Sequence, residues 1–198
     1  DYNINNNHRL MLRHNWVRAE DDVVANRGGG SSYSLDSNFY FFESSTNSTV
    51  AQLSSTLRQD WYNELTASWT RVRDRRSPVE VFPTIIARVT NPANTTQTTS
   101  LLAGAEYFSQ GNELDQDALE ITNNLTIPVG AHRLTFGIHD EYFRFRNLFQ
   151  AGKTGEWTFN SLADLEAGTP SAFRRSIPAV SDLVLDPVFG VHNVGVYA

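Results

Sequence analysis

Apolar and polar residues alternate with a period of two along most of the chain, and stretches with a helical period are nearly absent. From Asp115 to Ile127 the odd positions include Leu119, Ile121, Leu125 and Ile127, and the even ones hold Gln116, Ala118, Glu120, Thr122, Asn124 and Thr126. Successive side chains of a strand point to opposite faces, so this stretch predicts a strand between two different media. His132 to Tyr142 sets Leu134, Phe136 and Ile138 against Arg133, Thr135, Gly137 and His139. Arg9 to Glu20 sets Leu10, Leu12 and Trp16 against Arg9, Arg13 and Asn15. Tyr62 to Arg73 sets Leu65, Ala67 and Trp69 against Glu64, Thr66, Ser68 and Thr70. Asn38 to Leu57 alternates more weakly, and the fragments Asp1–Ile4 and Val191–Ala198 read as further strands, about seven in all.

The connections alternate in length. Asn5–His8, Arg58–Trp61 and Pro128–Ala131 are short polar or turn-forming links, whereas Asp21–Ser37, Asp74–Glu113 and Asn147–Gly190 are long and rich in Gly, Ser, Thr, Asn and Pro. Unstructured loops beyond about 12–15 residues are uncommon in a soluble domain. Short turns at one end and long loops at the other are the pattern of an outer-membrane barrel. The expected fold is therefore all-β: an antiparallel up-and-down meander, part of a large transmembrane β-barrel with long extracellular loops. Residues 1–198 are read as a single barrel segment, incomplete as a barrel and without a plug domain. One helix is expected in the last loop, over Leu162–Ala167, capped by Asn160 or Ser161 and closed by Gly168, with Pro170 just beyond.

A soluble β-sandwich would alternate too, so the medium needs its own argument. Trp16 and Trp69 each close an apolar run on the long-loop side, and Tyr142 lies on the corresponding side of its strand. Amphipathic rings at a common height are what a membrane interface collects. Arg18 and Arg71 follow the two tryptophans on the same face, where they can snorkel to headgroups. The residues expected to face the membrane are Leu10, Leu12, Trp16, Leu65, Ala67, Trp69, Leu119, Ile121, Leu125, Ile127, Leu134, Phe136 and Ile138. Those expected to face the lumen are Arg13, Asn15, Glu64, Ser68, Glu120, Thr122, Asn124 and Thr135. Asp140 is out of place, since it continues the register of Leu134, Phe136 and Ile138, while Phe143, Phe145 and Phe149 take the opposite phase. A β-bulge near His139–Glu141 would account for both; otherwise the strand has already left the membrane there. The alternative is a soluble or surface β-sandwich that binds or adheres through the same loops, with the tryptophans in its core.

Composition narrows the chemistry. The formal net charge is −6, which offers no basic face for nucleic acid. Lys153 is the single lysine, and the arginine excess suits ion-pair ladders inside a polar lumen, as it also suits a GC-rich genome. Glu64, Glu120 and Glu141 are expected inward among arginines. The absence of cysteine excludes disulfides, cysteine zinc sites, iron–sulfur clusters and cysteine nucleophiles. No apolar run is long enough for a transmembrane helix. The text opens at Asp1 in mid-pattern, with no initiator Met, as expected of a mature or excised piece. His8, His14, His132, His139 and His192 are scattered without metal-ligand spacing, Gly28-Gly29-Gly30 lacks the lysine and helix of a phosphate loop, and no G-x-S-x-G elbow occurs. No catalytic residue, cofactor or metal is expected, and the chain reads as no enzyme.

Three stretches carry a family resemblance: DYNINNNHRLMLRHNWVRAEDD, NSTVAQLSSTLRQDWYNELTASWTRVRDRR and EYFSQGNELDQDALEITNNLTIPVGAHRLTFGIHDEYFRFRNLFQ. With TFNSLADLEAGTPSAF and the terminal VGVYA, they resemble in order the barrel of Oar-like TonB-dependent receptors. The resemblance implies an outer-membrane transporter with a plugged barrel of roughly 22 strands. Its implied partners are outer-membrane lipid, the remainder of the barrel and a plug domain. Through the plug it would meet an inner-membrane energy-coupling protein, and its loops would take a small ligand or peptide. The 198 residues contain neither a plug nor an energy-coupling box, and no substrate-binding residue follows from these motifs.

Overall fold

The structure is a computed structural model and describes residues 1–24, 31–58, 60–180 and 186–198. The Gly28–Gly30 run lies outside the described residues, as does position 59 within the Arg58–Trp61 link. Among the described residues twelve strands form two sheets, with one short α-helix and one 3-10 turn (Asp36–Asn38) between strands.

The larger sheet is an antiparallel meander of seven strands: β1 (Tyr2–Asn5), β2 (His8–Val23), β4 (Tyr40–Arg58), β5 (Trp61–Pro78), β8 (Asn112–Val129), β9 (His132–Phe149) and β12 (Val188–Tyr197). It follows chain order throughout, as the alternation predicts. The ends β1 and β12 do not pair with each other, so the sheet stays open. Its turns are tight: β8 and β9 are joined by Gly130 and Ala131, with Gly130 at φ +62°, a conformation that costs glycine little.

The long connections are shorter than expected, because the strands run well past the aromatic rings. β5 continues to Pro78 and β8 starts at Asn112, where a loop from Asp74 to Glu113 was expected; β2 likewise runs to Val23 and β9 to Phe149. An 18-residue strand such as β8 at about 3.3 Å per residue measures roughly 59 Å. Tilted by about 40°, it still rises roughly 45 Å, far above an apolar band of about 25 Å.

The loops carry a second, five-stranded sheet that alternation did not predict. β3 (Ser32–Ser34) comes from the first long connection, β6 (Thr84–Asn91) and β7 (Asn94–Ala103) from the second, and β10 (Glu156–Phe159) and β11 (Ala172–Arg174) from the third. Their order is β11-β10-β6-β7-β3, with β10 parallel to β6 and β3 parallel to β7. Between β10 and β11, α1 (Leu162–Glu166) is capped by Ser161, whose hydroxyl accepts from the Asp164 N–H at 3.0 Å, and Gly168 at φ +65° closes it.

Among the described residues the buried apolar core is minute: Ala87, Ala105 and Phe159, all in this loop cap. None of the described apolar residues of the large sheet is buried, and many are exposed, with Leu12 at 67%, Trp16 at 63% and Trp69 at 44%. A sandwich would have turned the tryptophans onto a second sheet, and that alternative fails here.

Candidate functional site

Pairing register sorts the large sheet into two faces, since every strand contributes alternate residues to each. One row runs Leu10, Leu53, Leu65, Asn123, Ile138 and Val196; the next runs Leu12, Ala51, Ala67, Ile121, Asp140 and Val194. Leu125 pairs with Phe136 and Ile127 with Leu134 on this same face. The opposite face holds Arg13, Ser68 and Glu120 in one row, with Asn15, Glu64, Thr122, Asn124 and Thr135 in neighbouring ones. All thirteen residues of the apolar set thus share one face, and all eight of the polar set share the other.

Polar residues interrupt the apolar face, and three pairs of them bind each other there. His14 Nδ1 lies 2.9 Å from Thr49 Oγ1. Asn63 and Asn123 exchange reciprocal amide hydrogen bonds at 3.0 and 3.3 Å. Asp140 Oδ1 lies 2.5 Å from His192 Nε2 on β12. The expected bulge at His139–Glu141 does not exist: β8 and β9 keep one register from Asn112–Phe149 to Val129–His132. Asp140 is accommodated by a partner in the neighbouring strand, not by a change of phase. Pairing matters on an apolar face, because a polar group taken from water without a partner costs several kcal/mol, about 4–8 on the cyclohexane scale.

The aromatic rings close this band on the long-loop side. Trp69, Leu119, Tyr142 and His192 occupy one row, and Trp16 stands one pair farther along with Asn47 and Arg71. That offset of two residues is roughly 7 Å along the strand.

Beyond the rings the same face turns ionic. Arg73 donates through Nη2 to both oxygens of Asp117, at 2.8 and 3.0 Å. Arg75 Nη2 binds Asp115 Oδ1 at 2.6 Å. Arg146 reaches Glu113 at 2.9 Å, Asp115 at 3.2 Å and Asp186 at 3.0 Å. The arginine ladder expected in the lumen therefore lies on the apolar side of the wall, above the rings. Glu64, Glu120 and Glu141 do occupy the polar face, yet form no ion pair among the described residues, and Glu120 and Glu141 stand directly opposite each other. The signal was present in Arg71, Arg73 and Arg75, which simply continue the phase of Trp69.

Above the wall, the cap sheet and the strand ends enclose a cavity of about 390 Å³. Wall residues Tyr40 and Arg76 border it below, and Ile86, Leu102, Glu106 and Phe108 from the cap segments border it above. Glu156 of β10 is buried and binds Arg174 of β11 through two bonds, at 2.6 and 3.0 Å. These bonds raise the Arg174 guanidinium above its ordinary range, so it stays charged, and it stacks 4.4 Å from the Tyr107 ring centroid. Gln110 ties the cap together: its Oε1 accepts from the Thr154 N–H at 2.8 Å, and its Nε2 donates to Thr84 Oγ1 at 2.9 Å. None of these cap residues was singled out from the sequence. The β6–β7 hairpin was detectable as two β-branched runs around Asn91-Pro92-Ala93-Asn94.

Among known proteins, the model of a family described as an outer membrane beta barrel domain matches residues 1–186. Neither the curated proteins nor the solved structures yielded a match. An antiparallel sheet with one apolar face, aromatics at its border and tight turns opposite long loops fits a wall of such a barrel. The chain belongs to the outer membrane beta barrel domain family, and its place is the bacterial outer membrane.

Proposed function

We propose that the chain is a stretch of barrel wall from a TonB-dependent receptor of the Oar-like kind, serving uptake of a nutrient or peptide. Leu10, Leu12, Leu65, Ala67, Leu119, Ile121, Leu125, Ile127, Leu134, Phe136 and Ile138 meet lipid chains, with Trp16 and Trp69 at the outer interface. Arg13, Asn15, Glu64, Ser68, Glu120, Thr122, Asn124 and Thr135 line the pore. Further strands complete the barrel, a plug fills it, and an inner-membrane protein supplies energy through the plug. In this reading the chain has no reaction of its own, and its loops capture the cargo.

The observation that supports this best is the open sheet. Seven strands of up to 19 residues leave β1 and β12 without a further partner among the described residues. Bare strand edges are not tolerated in hydrocarbon, so other strands must cover them. In the receptor reading the completed barrel is of the roughly 22-strand kind, whose lumen is plugged.

The test is direct binding between the full-length protein in detergent and the purified periplasmic domain of the energy-coupling protein. Saturable binding that is lost when the N-terminal coupling segment is deleted is expected. If no binding occurs, the receptor reading fails and an outer-membrane barrel of another kind remains.

A further inference from the structure

Four charged side chains border the cavity between cap and wall: Arg76, Glu106, Glu156 and Arg174. Glu156 and Arg174 satisfy each other. Arg76 and Glu106 do not: Arg76 makes no ion pair among the described residues and lies 5.4 Å from the centre of the Tyr40 ring. Glu106 Oε2 accepts from Ser109 Oγ at 2.6 Å, and its other oxygen has no partner among the described residues.

Opposite charges in one cavity ordinarily close on each other. Here each is held on its own element, Arg76 on β5 of the wall and Glu106 in the connection after β7. We infer that this cavity binds a short peptide with free ends, its carboxylate on Arg76 and its ammonium on Glu106.

The chemistry selects against simpler ligands. A plain anion would meet Arg76 but face Glu106 and the already neutralised Glu156. A plain cation would meet Glu106 but face Arg76. A zwitterion satisfies both charges and leaves none over, which is discrimination by repulsion as much as by attraction. Guanidinium takes a carboxylate through two parallel bonds, a geometry that an ammonium-bearing side chain lacks. Ile86, Leu102 and Phe108 provide the apolar surface for the peptide's side chains. The volume falls within the range of about 300–1,000 Å³ usual for small-ligand sites.

This inference deepens the uptake reading, resting on it for the fate of the peptide but not for its binding. Isothermal titration of the full-length protein in detergent, with Ala-Leu-Ala and its N-acetylated and C-amidated forms, tests it. Blocking either end should weaken binding roughly tenfold to a hundredfold, the usual worth of a charge-assisted hydrogen bond. Arg76→Gln should become indifferent to C-amidation while still discriminating against N-acetylation, and Glu106→Gln should show the converse. The discrimination each variant retains shows that its fold is intact. Absence of saturable binding, or variants that keep full discrimination at both ends, would overturn the assignment. Peptide binding without any interaction with the coupling protein would leave this site standing and remove the receptor reading instead.

Discussion

Tyr197 crosses over Gly137 and donates its hydroxyl to Asn124 at 2.5 Å, so a side chain of β12 reaches β8 across the whole width of β9. A Cβ at Gly137 would meet the Tyr197 ring at 2.2 Å. Gly137→Ala should therefore lift the ring and cost about 1–3 kcal/mol, the usual range for overpacking. Tyr197→Phe, which loses only the hydrogen bond, should cost about 1 kcal/mol. Urea unfolding from lipid vesicles ranks the two, and a neutral Gly137→Ala would show that the ring does not rest there.

Neighbouring residues of β5 provide a test of which face meets lipid. Ala67 lies on the apolar face between Ala51 and Ile121, while Ser68 lies on the other between Val50 and Glu120. Ala67→Arg should destabilise the protein by about 2–4 kcal/mol in vesicles, the cost of arginine near a bilayer midplane. Ser68→Arg gains Glu120 as a neighbour and should be close to neutral. The reverse ranking would turn the wall inside out.

The amide pair in the apolar band makes a non-additive prediction. Asn63→Leu alone leaves Asn123 unpaired and should cost about 1–3 kcal/mol. Adding Asn123→Leu should restore stability to wild type or above, since removing both partners is nearly free. A double variant as unstable as the sum of the single ones would mean that the two amides act separately.

Asp115 touches Arg75 and Arg146 and lies 3.5 Å from Arg73. Asp115→Asn should loosen the sheet above the rings without disturbing the band. Hydrogen exchange of the amides at 112–117 should quicken about tenfold, the equivalent of one lost charged hydrogen bond, while those at 119–127 keep their protection. Equal acceleration in both stretches would tie the ladder to the stability of the whole wall.

The wall was readable because each strand carries its own alternation between two media. Leu119, Ile121, Leu125 and Ile127 place β8 without reference to any other strand, and a slip of one residue would have reversed every one of them. Asp140 was misread because its partner, His192, lies 52 positions away and only the β9–β12 register brings them together. The ion-pair ladder was assigned to the lumen from composition, although Arg73 and Arg75 continue the phase of Trp69 and Arg71. The cap was out of reach for another reason. β3 and β10 are three and four residues long and pair with strands from other loops, so their partners lie far off in sequence and no local pattern announces them.

Loops on a barrel rim are ordinarily free to lengthen, shorten and move one at a time. The two parallel pairings, β3 with β7 and β10 with β6, remove that independence. An inserted residue in the first or third loop slides a register belonging to the second. The three loops are therefore bound to change as a set, and the rim is inherited as one piece.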